Sequence, residues 1–239
     1  YVSDVNVLPI WNLLNTSLKK HQFKKVLYFS TTHVYGNDKV GLVNENNKSS
    51  PFNTYGLTHL LSEEINNFYR KNHGIECINI RLSNSYGEPI FYNNKCWKLV
   101  INNLARDAFI SKKIVLNSDG KAARDFIHFS DICKGVEKLI NYDSGYHDYN
   151  TINFCSSRSI SMIDVSKTVR KVYFKRYGIK IPIFINKTIE LKYEEGAYCK
   201  NTNIISNNLS KSIDITFDKS LEEGINEIFE YLENIGITS

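Results

Sequence analysis

Short β-prone apolar runs alternate with amphipathic helical stretches from one end of this chain to the other, and few folds accommodate that pattern. Val5, Leu8, Trp11, Leu14 and Leu18 recur every three or four residues and predict a helix over residues 2–20. Lys25–Ser30 (KVLYFS) predicts a buried strand, and the Gly-, Asn-, Ser- and Pro-rich stretch 36–53 a surface loop. Leu57, Leu60, Leu61, Ile65 and Phe68 mark the next helix, which Gly74 follows. The rest continues in kind: strands at Glu76–Leu82, Lys113–Asn117, Phe126–Phe129, Thr151–Phe154 and Ile181–Ile185. Between them fall helices at Trp97–Ile110, Asp131–Asn141, from an N-cap at Ser161 to about Tyr177, and at Ser220–Asn234. Strand and helix in this rhythm imply an α/β protein with a doubly wound, mostly parallel sheet.

Composition narrows the partners. The 239 residues are 42% apolar and 23% charged, ordinary for a globular protein with ample core. The net charge of +5 comes from scattered lysines, with no continuous basic arm and no nucleic-acid motif. No nucleic-acid partner is therefore expected, and a small anionic ligand suits the same balance. Five cysteines, odd in number and never spaced Cys-x-x-Cys, point to reduced thiols and a cytoplasmic setting, with no structural metal. No run approaches the about 18 apolar residues of a membrane span, and no signal peptide is evident.

In an open α/β sheet, ligands sit beyond the carboxyl ends of the strands. The first predicted strand ends in Ser30-Thr31-Thr32-His33-Val34-Tyr35-Gly36, where hydroxyls can bond a substrate oxygen or simply make a turn. Tyr55 and His59 lie four residues apart in a predicted helix and so share a face. A tyrosine with pKa near 10 works as a base at neutral pH only if a neighbouring cation favours the phenolate, and histidine supplies that charge only below its own pKa. After the second strand, Arg81–Pro89 (RLSNSYGEP) reads either as a turn with Asn84 and Gly87 at positive φ or as donors aimed at a sugar or phosphate. Arg124-Asp125 is either a surface ion pair or the start of a phosphate fork.

These segments, in this order, resemble the extended short-chain dehydrogenase/reductase family, the NAD-dependent epimerases and dehydratases of nucleotide sugars. Asn6-Val7 looks like the family's Asn-Val-x-Gly-Thr, Ser30–Gly36 its Ser-Ser-x-x-Val-Tyr-Gly, and Pro51–Glu64 its Pro-x-x-x-Tyr-x-x-x-Lys followed by glutamate. Arg81–Pro89 is similar to Arg-x-x-Asn-x-Tyr-Gly-x-Pro, Arg124–Asp131 to Arg-Asp-Phe-x-His-x-x-Asp, and Ser220–Gly224 to the usual start of the last helix. The resemblance implies a Rossmann-like sheet and a small C-terminal substrate lobe. The remainder of the NAD(P)-binding domain would span about residues 1–90 and 112–155, and the lobe about 90–112 and 156–239.

It also implies roles. Tyr55 would be the general acid/base, Thr31 its partner on the sugar oxygen, and His59 would stand where lysine bonds the nicotinamide ribose. Asn6, Ser30 and Leu82 would touch NAD or NADP; Thr32 and His33 would face the sugar, and Asn84 and Arg124 would hold the nucleotide-sugar phosphates. His128 reads as a packed strand residue, and a homodimer through the helices at about 2–20 and 54–71 follows from the family.

Four departures stand out. No Gly-x-Gly-x-x-Gly or Gly-x-x-Gly-x-x-Gly fingerprint occurs, so the expectation is that roughly three strands with the pyrophosphate cradle precede Tyr1. Histidine replaces lysine at position 59. Thr32-His33 stands where the family's 4,6-dehydratases carry Asp-Glu, which counts against that elimination. No late arginine appears near Tyr198-Cys199-Lys200. Two functional readings result: a nucleotide-sugar epimerase or reductase of surface-polysaccharide synthesis, or a protein of the same fold that binds the nucleotide sugar or dinucleotide with impaired catalysis.

Overall fold

The computed structural model describes residues 1–20, 25–37, 41–93, 95–142, 150–185, 202–204 and 213–236. The segment around Tyr198-Cys199-Lys200 lies outside the described residues. In chain order the elements are α1 (Val2–Asn6), α2 (Leu8–Lys20), β1 (Lys25–Thr31), a 3₁₀ turn (Thr32–Tyr35), β2 (Gly41–Val43) and α3 (Thr54–His73). Then come β3 (Glu76–Leu82), β4 (Asn84–Tyr86), a 3₁₀ turn (Lys95–Lys98), α4 (Val100–Ser111), β5 (Ile114–Leu116), β6 (Ala123–His128) and α5 (Phe129–Asn141). The chain continues through β7 (Thr151–Phe154), β8 (Ser159–Ser161), α6 (Met162–Tyr177), β9 (Ile183–Ile185), β10 (Thr202–Ile204) and α7 (Leu221–Asn234).

The expected alternation is present, with corrections that have local causes. The single helix expected over residues 2–20 is two, because Pro9 has no N–H for the carbonyl four residues back and fits only in a first helical turn. The loop expected at 36–53 contains β2, which pairs in parallel with β10. Asn84 sits in β4, paired with β6 between Asn84 and Phe126, so it is not a positive-φ turn residue; Gly87, at φ 143°, is. Trp97 belongs to a 3₁₀ turn ahead of α4, its indole N–H donating to the Tyr92 carbonyl at 2.7 Å. Helix α5 starts two residues early because the His128 ring caps it, accepting from the Ser130 N–H.

The central sheet runs β1-β3-β7, all parallel, with Ser30 opposite Arg81 and Thr31 opposite Leu82. Helices cover both faces. Alternate residues of β3 divide accordingly: Ile78 and Ile80 pack with Leu139 of α5, and Cys77 packs with Tyr69 of α3 and Leu14 of α2. A second sheet, β4-β6-β8, is parallel between β4 and β6 and antiparallel between β6 and β8. Beside it, α4, α6 and α7 enclose a separate apolar core around Ile101, Phe109, Val169, Tyr173, Ile225 and Phe229. Helix α7 begins with a full capping box, in which Ser220 and Glu223 bond each other's backbone N–H. Among the described residues no helix is long and apolar enough to cross a membrane.

Candidate active site at the carboxyl edge of the sheet

The first turn of α3 is held against the end of β1. Asn53 caps the helix by accepting the Gly56 N–H at 2.8 Å. A Cβ on Gly56 would lie 2.8 Å from the His33 carbonyl oxygen, so only glycine lets the helix start this close to the 3₁₀ turn. That approach brings Tyr55 alongside Thr31 and His33. The Tyr55 phenol lies near enough to the Thr31 hydroxyl for that group to favour its ionised form, and its ring meets His33 edge-on at 5.4 Å. Tyr55 remains 46% exposed, open to a ligand.

Tyr55, His59 and Glu63 follow one another at one-turn intervals along α3, and the strands below match them. His59 is buried, its ring edge-on to Tyr55 at 4.6 Å, and its Nδ1 lies 2.9 Å from the Tyr28 hydroxyl on β1. Glu63 forms a buried fork with Arg81: Nη2 to Oε2 at 2.7 Å and Nε to Oε1 at 3.0 Å. The Ser30 hydroxyl donates to the same carboxylate, and the Arg81 guanidinium lies over the Tyr35 ring at 4.7 Å. One turn further, Asn66 donates to Asn79 at 2.8 Å. The seam between α3 and the sheet thus carries a polar ladder, which runs beside the apolar packing of Tyr69 on Cys77 and Val26.

Its electrostatics oppose an ionised tyrosine. Burial raises the Tyr55 pKa above its ordinary 10, and the Thr31 hydroxyl pulls it part of the way back. Burial also lowers the His59 pKa below 6.5, against the attraction of Glu63. At pH 7 the pair is therefore a neutral phenol beside a neutral imidazole. His33 is pushed down to about 4, first by burial and then by the nearby Arg124 charge.

The other expected site residues divide. Leu82 ends β3 opposite Thr31, and Thr32 is buried at the start of the 3₁₀ turn. Ser30 spends its hydroxyl on Glu63 and so docks helix to strand. Asn6 donates its side-chain amide to the Thr58 hydroxyl at 2.9 Å, and its backbone carbonyl accepts from the Ser62 hydroxyl at 2.9 Å, which pins α1 to α3. Asn84 donates its amide to the Asp125 carbonyl at 2.9 Å. Arg124 and Asp125 do not form the bland surface pair: Asp125 is buried and accepts from the Ser156 and Arg158 backbone N–H groups. Arg124 instead lines a cavity of about 810 Å³ together with Tyr92, Trp97, Lys98, Asn103 and Arg106. The Arg124 charge also disfavours protonation of His33, beside Tyr55. Tyr28, the cavity walls and the depth of Glu63 were not read from the sequence. Glu63 alone had a signal, since it continues the four-residue spacing of Tyr55 and His59.

A doubly wound sheet with a tyrosine–histidine helix face at its carboxyl edge defines a Rossmann-like α/β protein. The chain belongs to the NAD dependent epimerase/dehydratase family, whose model matches residues 1–152. It is 30% identical over 143 residues to a putative UDP-glucose 4-epimerase of Methanocaldococcus jannaschii, covering 59% of this chain and 46% of that protein. It is 28% identical over 135 residues to an uncharacterized UDP-glucose epimerase of Bacillus subtilis, covering 56% and 40%. The chain thus spans less than half the length of these relatives. In fold it is similar to UDP-glucuronic acid 4-epimerase from Bacillus cereus, solved with UDP-glucuronic acid and NAD. That match has a TM-score of 0.79 at 21% identity and covers 96% of this chain and 68% of the other. It is also similar to UDP-N-acetylglucosamine 4-epimerase from Methanobrevibacter ruminantium, at a TM-score of 0.80, 20% identity, and 98% and 70% coverage.

Proposed function

We propose that this protein is an NAD- or NADP-dependent nucleotide-sugar epimerase or related reductase, with a Tyr-x-x-x-His site in place of Tyr-x-x-x-Lys. The observation that carries it is the grouping of Tyr55 with His33 and His59, its ring edge-on to theirs at 5.4 and 4.6 Å, at the carboxyl edge of the parallel strands beside Thr31. Of the cofactor's parts, the nicotinamide ribose fits: Tyr55, His59 and Leu82 offer a hydroxyl, an imidazole and an apolar wall there. A pyrophosphate cradle has no counterpart in these residues, since the sequence has no Gly-rich fingerprint. When bound, the cofactor would supply hydride transfer at a sugar carbon.

The chain's own residues do the rest. Tyr55 Oη would exchange the proton of the sugar hydroxyl, with Thr31 holding the same oxygen. Arg124 and the basic cavity walls suit the diphosphate and base of a nucleotide sugar, with Trp97 and Tyr92 as stacking surfaces. Thr32 and His33 replace the acidic pair that elimination needs, which favours epimerisation or reduction over dehydration. A place in surface-polysaccharide synthesis, in the cytoplasm, fits such a substrate. The homodimer reading is supported by exposed apolar side chains on helices that pack together, Val5, Leu8 and Trp11 on α1 and α2 and Leu57, Leu61 and Phe68 on α3.

Tyr55→Phe tests the reading. Turnover of nucleotide sugar should fall at least about 10²-fold, and unchanged turnover would sink the assignment. The second reading, a binding protein with impaired catalysis, is favoured by one observation: burial leaves His59 uncharged, so Tyr55 has no cation to ionise it. Turnover in His59→Lys where the wild type shows none at any pH would support that reading.

A further inference from the structure

Nothing in the tyrosine–lysine pattern calls for a phenol on β1, yet Tyr28 points its hydroxyl at His59 Nδ1 from 2.9 Å. We infer that Tyr28 is a positioning residue that locks His59 in the tautomer carrying its proton on Nε2, so that a neutral imidazole keeps a hydrogen-bond donor for the cofactor ribose. The inference rests on the functional reading above and goes beyond it, because it assigns a residue and a protonation pattern that the family's lysine never needs.

The chemistry of the pair sets the direction of the bond. A phenol donates more strongly than a neutral imidazole N–H, and an imidazole nitrogen accepts more strongly than a phenol oxygen, so O–H···N is the favoured arrangement. Burial supports it by holding the Tyr28 phenol protonated, with its pKa pushed up to about 12. Ser62 is the competing neighbour of Tyr28, and with its own proton on the Asn6 and Thr58 carbonyls at 2.9 and 3.0 Å it competes only as an acceptor, where a hydroxyl oxygen is weaker than an imidazole nitrogen. Once Nδ1 accepts from Tyr28, the single ring proton sits on Nε2.

The remaining groups around His59 do not reverse this. Tyr55 and Glu63 flank it on α3, and His33 faces it from the 3₁₀ turn. Glu63 is the one negative charge among them, and Arg81 and Ser30 already hold its carboxylate. His59 therefore has a fixed donor without a fixed charge. Lysine delivers both at once; here the hydrogen bond survives and the charge does not.

The test uses nitrogen-15 chemical shifts of the His59 ring at pH 7.5, together with the affinity for NAD. The wild-type protein should show Nε2 protonated and Nδ1 bare. Tyr28→Phe should leave the Nε2-protonated tautomer in the minority and weaken NAD binding about fivefold, the factor expected when about a fifth of the rings keep that donor. In the His59→Lys protein the same Tyr28→Phe change should leave NAD affinity within twofold, because lysine needs no tautomer. A proton on Nδ1 in the wild type, or an equal loss of affinity in the wild-type and His59→Lys backgrounds, would overturn the proposal. A tautomer shift in Tyr28→Phe with no NAD binding by any of these proteins would leave the tautomer assignment standing and overturn the functional reading.

Discussion

The seam that joins α3 to the central sheet and the seam among α4, α6 and α7 are built on opposite plans. The second is apolar at its centre, where Phe229, Tyr173, Ile225 and Val169 pack together, and it carries its charged pairs, such as Arg176 with Glu233 and Lys175 with Glu222, on the outer rim of α6 and α7. The first is a stack of polar pairs, Asn66 with Asn79, Glu63 with Arg81 and Ser30, and His59 with Tyr28, climbing toward Tyr55. Apolar packing stabilises but tolerates exchange of similar shapes, whereas each polar pair requires one partner in one position. The polar ladder is therefore how the fold fixes the rotation and height of α3, and with them the place of Tyr55. Both seams stabilise the fold, and the polar one also sets the position of the site.

The comparison is open to attack from either side. Glu63→Ala leaves the Arg81 guanidinium buried without its carboxylate and should cost about 3–5 kcal/mol in denaturant unfolding, with lost activity in whatever protein still folds. Phe229→Ala opens a cavity in the other seam and should cost a similar amount, about 3–5 kcal/mol, yet leave the pH dependence of turnover unchanged. If Phe229→Ala moved that pH dependence, the division of labour would fail. Tyr55→Phe is the converse case, a drop of at least about 10² in turnover with unfolding free energy changed by no more than about 0.5 kcal/mol.

Smaller effects refine the picture. His33 has a folded pKa of about 4 against an ordinary 6.5, so its neutral burial adds stability above pH 6.5 that is lost as pH falls toward 4. Thermal midpoints measured across that window should fall for the wild type and less steeply for His33→Gln. At the edge of the apolar seam, Ser220→Ala removes the α7 cap and should cost about 1 kcal/mol, with no change in KM.

Much of the apolar seam was legible beforehand, because helix periodicity announces α6 and α7 directly and the Ser161 cap marks where α6 begins. The central strands were legible for the same reason, as Glu76–Leu82 and Thr151–Phe154 are apolar enough to read as buried. Three-residue strands such as β4 and β8 were not, since their pairing comes from tertiary contact and they are too short to show a period. At the site, the four-residue spacing of Tyr55 and His59 showed that they share a face, but not that both would be neutral. That depends on burial beneath Tyr28 and Glu63, which come from a strand and a later turn of the helix. Asn6 and Ser30 were read as cofactor contacts from motif position alone, and the structure shows their polar groups engaged in docking α1 and β1 to α3.

The most direct measurement is the pH dependence of kcat/KM for the wild type and His59→Lys, with the same nucleotide sugar. If neutral His59 acts only as a donor, wild-type activity should climb toward alkaline pH as Tyr55 ionises, with no gain below pH 6.5. The permanent charge that His59→Lys introduces should then move that rising limb down by about one unit or more. Wild-type activity that increases as pH falls below 6.5, or a limb that lysine leaves in place, would contradict it.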